Sequence, residues 1–481
     1  MMNADPEALP PARRRYLAYA TVALMPLSWK YSPAKDSPYL SPLDFLLPIL
    51  AALLIVDLLM RRSWARFRRP PVPGLLWAGL AALSLLWFEG FCGSEAINRL
   101  EAIKTWAHGA LNPFLFGLAA VWVFQNLARD AAEYRRLALI LLASFGVCVL
   151  IALKQYAGPV GLPYDPSNPD QNLLGVSTYR LAGWYDFRGV FGAQAALLAP
   201  AATAFALLDK DTAVRWAAGA MALLTLCVTL AAGGFIAACA GIIAVAAACV
   251  LARSWLKGLA VLIALLVLVA LVLPRLPRQN TAVLFRGMAF FAEDKGEKDA
   301  EVKMKPTAVL RRHQAALDLL AAPSNPQDGK SAPNWLKGVG PGRFQKSIGR
   351  FYQPPYPKPG RLTDDETTFD MEADEKFSFS LLETVAVELG VPGLLAVLFL
   401  LASWIAAAQG SFARLASPSP APSPAAQRQK ETGAALALAA LGAGCGALVV
   451  SLFLNPAIRG VGGSFAFFFA LALCTKQWAD D

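Results

Sequence analysis

Apolar runs of about the length that crosses a membrane recur along the whole chain. A hydrocarbon core about 30 Å thick takes roughly 20 apolar residues as a helix. Twelve stretches approach that length, at about 16–30, 44–60, 74–92, 109–125, 137–156, 188–208, 216–232, 233–252, 259–274, 378–406, 433–454 and 461–475. The pattern predicts an all-α polytopic membrane protein with about 12 transmembrane helices. Residues 1–274 carry helices one to nine and residues 378–481 carry ten to twelve, with a Pro/Ser-rich connector at 409–432.

One long stretch, 275–377, is too polar to span and mixes both charge signs, as in Lys295, Glu297, Lys298, Asp299, Glu301 and Lys303. It predicts a large, mainly helical loop domain between helices nine and ten. Within it, Val309, His313, Leu317 and Leu320 recur at spacings of four, four and three, which predicts an amphipathic helix over 307–322 with His313 on its apolar stripe. Pro306 and Pro323 bracket it.

Charge orients the spans. Basic clusters occupy alternate connections: Arg13 to Arg15; Arg61, Arg62, Arg66, Arg68 and Arg69; Arg129, Arg135 and Arg136; Arg253 and Lys257. Positively charged connections stay in the cytoplasm. With an even number of spans, both termini are then expected there. The loop 275–377 and the shorter 93–108 and 157–187 fall on the outer side, which makes the expected location the inner membrane of a bacterium with 275–377 in the periplasm. The N-terminal stretch reads as a retained anchor, because no small-residue cleavage site follows it.

Composition fits that picture and narrows the chemistry. Hydrophobic residues are 56% and charged residues 16%, against about one-quarter charged in soluble domains, so a soluble globular protein is excluded. The net charge of +10 comes largely from the cytoplasmic anchors, so nucleic acid is not an expected partner, whereas membrane lipids are. The seven cysteines lie in or beside apolar runs and 275–377 contains none. His108 and His313 are the only histidines, and neither has a His or Cys at ligand spacing. Neither a disulfide framework, a metal nor another cofactor is expected.

Four places carry candidate chemistry. Arg188, at the start of the sixth span, can grip a diphosphate through two parallel hydrogen bonds or pair with Asp186 and lipid headgroups; Arg180 is a second candidate of this kind. Gly338-Val-Gly-Pro-Gly-Arg343 after Lys337 reads either as a structural turn or as a phosphate cradle. The acidic stretch holding Glu372, Asp374 and Glu375 leads into the tenth span, where Glu383 and Glu388 lie on a mostly apolar helix and require a partner or a function. His313, with Arg311 and Arg312 beside it, is a core histidine or a base, since imidazole titrates at about 6.5 and needs no tuning for acid–base work near neutrality.

Taken together, Arg188-Gly189, the run Pro333, Gly338, Gly340, Gly342, and Glu388-Leu-Gly-Val-Pro-Gly393 resemble the bacterial O-antigen ligase and polymerase superfamily over roughly 180–400. The resemblance implies a GT-C-like membrane glycosyltransferase. It would take an undecaprenyl-diphosphate-linked oligosaccharide donor, without a metal, and a saccharide acceptor on a lipid carrier or on lipid A core, and a chain-length regulator protein is a possible partner. It implies that arginines bind the diphosphate, here Arg188, Arg180, Arg312 and Arg343. The family's histidine, nine residues before its Gly-x-x-Gly, is replaced: the pair there is Phe379-Ser380, and the family's Ser-Arg at the eighth span reads Ala231-Ala-Gly-Gly234. The base is therefore expected elsewhere, at His313 or Glu375, with Glu372, Asp374 and Glu383 as acceptor-side or structural polar groups. The missing histidine points to repeat-unit polymerisation rather than ligation; a transporter and a catalytically silent relative are the rival classes.

Overall fold

The computed structural model describes residues 12–26, 42–61, 72, 75, 76, 79, 80, 116–128, 130–157, 188–232, 234–252, 255–272, 291–293, 304–306, 308–322, 334–340, 344, 380–417, 423–453 and 457–480. Its helices are α1 (Ala12–Leu24), α2 (Pro42–Arg61), α3 (Phe116–Leu127), α4 (Ala131–Ala157), α5 (Arg188–Leu208), α6 (Thr212–Ala232), α7 (Phe235–Leu251) and α8 (Trp255–Val272). A two-stranded antiparallel ribbon follows, β1 (Phe291–Glu293) on β2 (Met304–Pro306), with Phe291 opposite Pro306. Then come α9 (Ala308–Ala321), α10 (Asn334–Lys337), α11 (Leu381–Leu415), α12 (Pro424–Phe453) and α13 (Ala457–Asp480).

This is an α-helical membrane-embedded protein. Five helical stretches, 131–154, 190–208, 212–229, 381–415 and 424–452, are long and apolar enough to cross a bilayer. Large apolar side chains such as Leu150, Ile263, Leu266, Leu395 and Phe399 point outward from an already closed core. Such a surface on helices of this length and hydropathy suits lipid. Each predicted span except 74–92, most of which lies outside the described residues, falls on one of these helices. The helices run further than the apolar stretches: α11 continues to Leu415, and α12 begins at Pro424 with Ser423 accepting the Ala426 N–H at 3.2 Å. Most of the expected 409–432 connector is therefore helix, because Ala, Gln and Arg propagate a helix without being apolar.

Small residues let the central helices approach closely. From Val190 to Phe205 α5 is buried on all sides, much of it alanine, and packs on α6, α7 and α12. Pro200 has no N–H, which leaves the Ala196 carbonyl without its intrahelical donor. Gly446 of α12 meets that carbonyl so closely that a Cβ there would overlap it, and Gly241 and Gly442 close on the Pro200 ring. Hydroxyls inside the bundle fold back onto their own helices, as Thr203 does onto the Ala199 carbonyl and Ser451 onto that of Ala447.

The packing fixes helix directions and sorts the two ends of the bundle. Gly446 lies by Ala196 and Gly442 by Pro200, so α12 runs antiparallel to α5. Ser380 donates to the Ser451 carbonyl at one end and Lys430 to the Ser417 carbonyl at the other, so α11 is antiparallel to α12. One end thus gathers Arg15 on Glu133, Arg135 on Asp209 and Lys257 on the Leu207 carbonyl, together with the α11–α12 connection. The opposite end holds the starts of α5, α7 and α11, and α9 and α10 cover α11 there.

Candidate functional site

At that second end the polar segment closes on α11. Ser380 is the N-cap: its side chain accepts the Glu383 N–H at 3.2 Å and donates to the Ser451 carbonyl at 3.2 Å. Ser-x-x-Glu is the capping-box pattern, and the Glu383 Oε2 accepts from His313 Nδ1 of α9 at 2.8 Å. Two candidates 70 residues apart in sequence meet here, with 23% of the His313 side chain and 13% of the Glu383 side chain accessible. With Nδ1 donating, the neutral ring carries its lone pair on Nε2. A carboxylate that fixes the tautomer and can stabilise the imidazolium, beside a nitrogen with a lone pair, is the arrangement general-base catalysis uses.

The buried face of α9 differs from the expected stripe. Ala315, Ala316 and Leu319 pack with Phe344 and Val387 as a small core, Leu320 lies at its edge, and Leu317 is 64% exposed. His313, one turn before Ala316, is at the rim of this core. Counting apolar side chains by size misplaced the face, because alanines make the close contact with α11.

The two glycine motifs meet each other. Gly390 has φ 71° and ψ −175°, which breaks α11, and Pro392 offers no N–H to the Glu388 carbonyl. The freed carbonyls of Val387 and Glu388 accept instead from Val339 at 2.9 Å and Gly340 at 3.0 Å. Gly338 and Gly340 have φ 73° and 99°. A Cβ on Gly338 would run into the Glu388–Leu389 peptide, and one on Gly390 would lie 2.7 Å from the Leu336 carbonyl oxygen. Of the two readings of the glycine run, the turn is the one found for these amides: they are spent on a helix, not left for a phosphate.

Glu388, 6% exposed, accepts the Phe344 N–H on Oε1 at 3.3 Å. Asn334, 2% exposed, donates to the Leu319 carbonyl at 2.9 Å and so ties the end of α9 to α10. Nothing in the sequence marked Phe344 or Asn334; the Ser380-x-x-Glu383 spacing was a visible cap signal. Arg188 is the first residue of α5, at this same end of the bundle, and Arg312 precedes His313 on α9; the side chains of both lie outside the described residues. Arg180, Arg343, Glu372, Asp374 and Glu375 lie outside them altogether. No family model matches this chain, and no curated protein matches it.

Proposed function

We propose that this protein is a glycosyltransferase acting at the outer face of a bacterial inner membrane, joining polyprenyl-diphosphate-linked saccharide repeat units. The observation that carries the reading is the His313–Glu383 pair at the mouth of the helical bundle, 2.8 Å apart, with both side chains mostly buried and Nε2 itself covered. The sequence likeness to lipid-linked saccharide polymerases and ligases supplies the substrate class. In this reading an acceptor hydroxyl oxygen attacks the anomeric carbon of the donor as the bond from that carbon to the diphosphate oxygen breaks. The hydroxyl proton passes to His313 Nε2, and Glu383 stabilises the resulting imidazolium. The diphosphate leaves with its charge met by arginines, for which Arg188 at the head of α5 and Arg312 beside His313 are the first choices.

The test is single-turnover transfer by purified protein given a lipid-linked oligosaccharide. Chain growth with release of lipid diphosphate is expected from the wild type, and His313→Gln lowers the rate about 10²- to 10⁴-fold in protein that still binds donor. Glu383→Gln, which leaves the imidazole without its carboxylate, is expected to lie between the two. Transfer only to a lipid A core acceptor would make the enzyme a ligase. Movement of the lipid-linked sugar across the bilayer with no diphosphate release would replace the proposal by transport, and wild-type rates in both variants would remove the pair from the chemistry.

A further inference from the structure

The His313–Glu383 contact spans two pieces of chain that meet only because the segment between them is docked. His313 rides on α9, whose underside is Ala315, Ala316 and Leu319. Those side chains close on Phe344, which is 2% exposed, and on Val387. The position of Phe344 is set from its own backbone: its N–H reaches Glu388 Oε1 at 3.3 Å, five residues along α11 from Glu383. The Glu388 carbonyl and that of Val387 hold Gly340 and Val339 in the same stretch. Glu388 therefore holds the neighbouring strand of chain with main-chain and side-chain oxygens alike, and Phe344 fills the space under the turn that carries His313.

We infer that Glu388 is a positioning residue: by holding Phe344 beneath α9 it keeps His313 Nδ1 on Glu383. The Glu388 side chain meets the Phe344 N–H rather than, in the reading above, the reacting atoms. A buried carboxylate in a membrane-end cluster is costly to keep, and a lost acceptor leaves a buried N–H unsatisfied. Replacing it by a group without an acceptor releases Phe344, loosens the α9 underside and lets the ring leave its carboxylate. Replacing it by glutamine keeps an oxygen for the Phe344 N–H.

The contact can be followed without any enzymatic assay, because the chain has only two histidines. In a His108→Gln background, ¹⁵N-histidine labelling of the reconstituted protein leaves one imidazole, and its nitrogen shifts report the tautomer. At a pH high enough for the ring to be neutral, the expected wild-type signal is protonation on Nδ1. Glu383→Ala serves as the reference for a lost acceptor, where the signal moves toward the Nε2-protonated form that free imidazole side chains favour. Glu388→Ala is expected to move the signal the same way, while Glu388→Gln keeps the wild-type tautomer. An unmoved signal in Glu388→Ala would overturn the inference. So would loss of the wild-type tautomer in Glu388→Gln, a variant that remains informative should the alanine protein fail to fold.

The catalytic counterpart rests on the proposed transferase activity: Glu388→Ala then lowers kcat roughly 10- to 100-fold at a donor KM changed less than about threefold, with glutamine restoring most of it. Tautomer shifts as expected with no transfer even by the wild type would leave the positioning role standing and remove the transferase reading. Full transfer by Glu388→Ala together with an unmoved tautomer would remove the positioning role alone.

Discussion

Gly390 combines φ 71° with ψ −175°, a region that residues with a Cβ essentially do not enter. Its hydrogen atoms also face the Leu336 and Trp335 backbone, with carbonyl oxygens 2.7 and 2.9 Å from where a Cβ would lie. Strain and overlap add, so Gly390→Ala is expected to lower unfolding free energy by about 3 kcal/mol in an SDS titration of the detergent-solubilised protein. Gly410, on the same helix, has nothing within 4 Å of its missing Cβ. There alanine adds helix propensity and is expected to be neutral or to stabilise by up to about 1 kcal/mol. Equal losses at both positions would mean that the α11 break is unimportant to the fold. The sequence showed Gly338, Gly340 and Gly390 as motifs worth attention but not their roles. Glycine spacing says where the backbone is free to turn, not whose carbonyl its amides will meet.

Pairs of elements are tied at the basic end of the bundle by contacts that charge counting flags only in part. Arg135 was legible as one of a cluster of membrane-anchoring cations. Its partner Asp209, four residues after the end of a wholly buried stretch of α5, was not. The guanidinium binds that carboxylate through Nε and Nη2, both at 2.7 Å, and Asp209 also accepts the Asp211 N–H at 2.8 Å. With 16% and 1% of the two side chains accessible, neither charge is well hydrated. Removing the arginine alone strands a buried carboxylate, so Arg135→Ala is expected to cost about 3 kcal/mol, whereas Arg135→Ala with Asp209→Ala costs less than the sum of the single changes. Additive losses in the same SDS titration would reduce the pair to a surface contact. The α5–α7–α12 crossing was equally hidden: Pro200, Gly241, Gly442 and Gly446 are ordinary in an apolar run, and only the packing shows that one proline and three glycines share a seam.

For the molecule as a whole, the positions of the helices were readable because a span needs about 20 apolar residues in one piece, a local property of the chain. The site was readable only as a set of residues, since His313 and Glu383 are joined by tertiary docking across the polar segment. Orientation stands between these cases. Charge parity assigns 275–377 to one side and the connection near 420 to the other. The structure bears on this through α11, whose continuous stretch after the Gly390 break, residues 391–415, rises about 37 Å from the end where α9 and α10 dock toward Ser417, where Lys430 binds the chain. Its length exceeds a hydrocarbon core of about 30 Å, and the exposed side chains Leu395 and Phe399 lie along it. A reporter inserted at residue 330, four residues before Asn334, is therefore expected to report the periplasm, and one inserted at residue 420 the cytoplasm. Alkaline phosphatase is active only in the first compartment and a green fluorescent protein only in the second, so the two reporters exchanged between the sites give four signals that must agree. The same compartment at both positions would mean that α11 does not cross. Cytoplasmic signals at both would also put the His313–Glu383 pair on the side opposite to the one the proposed function requires.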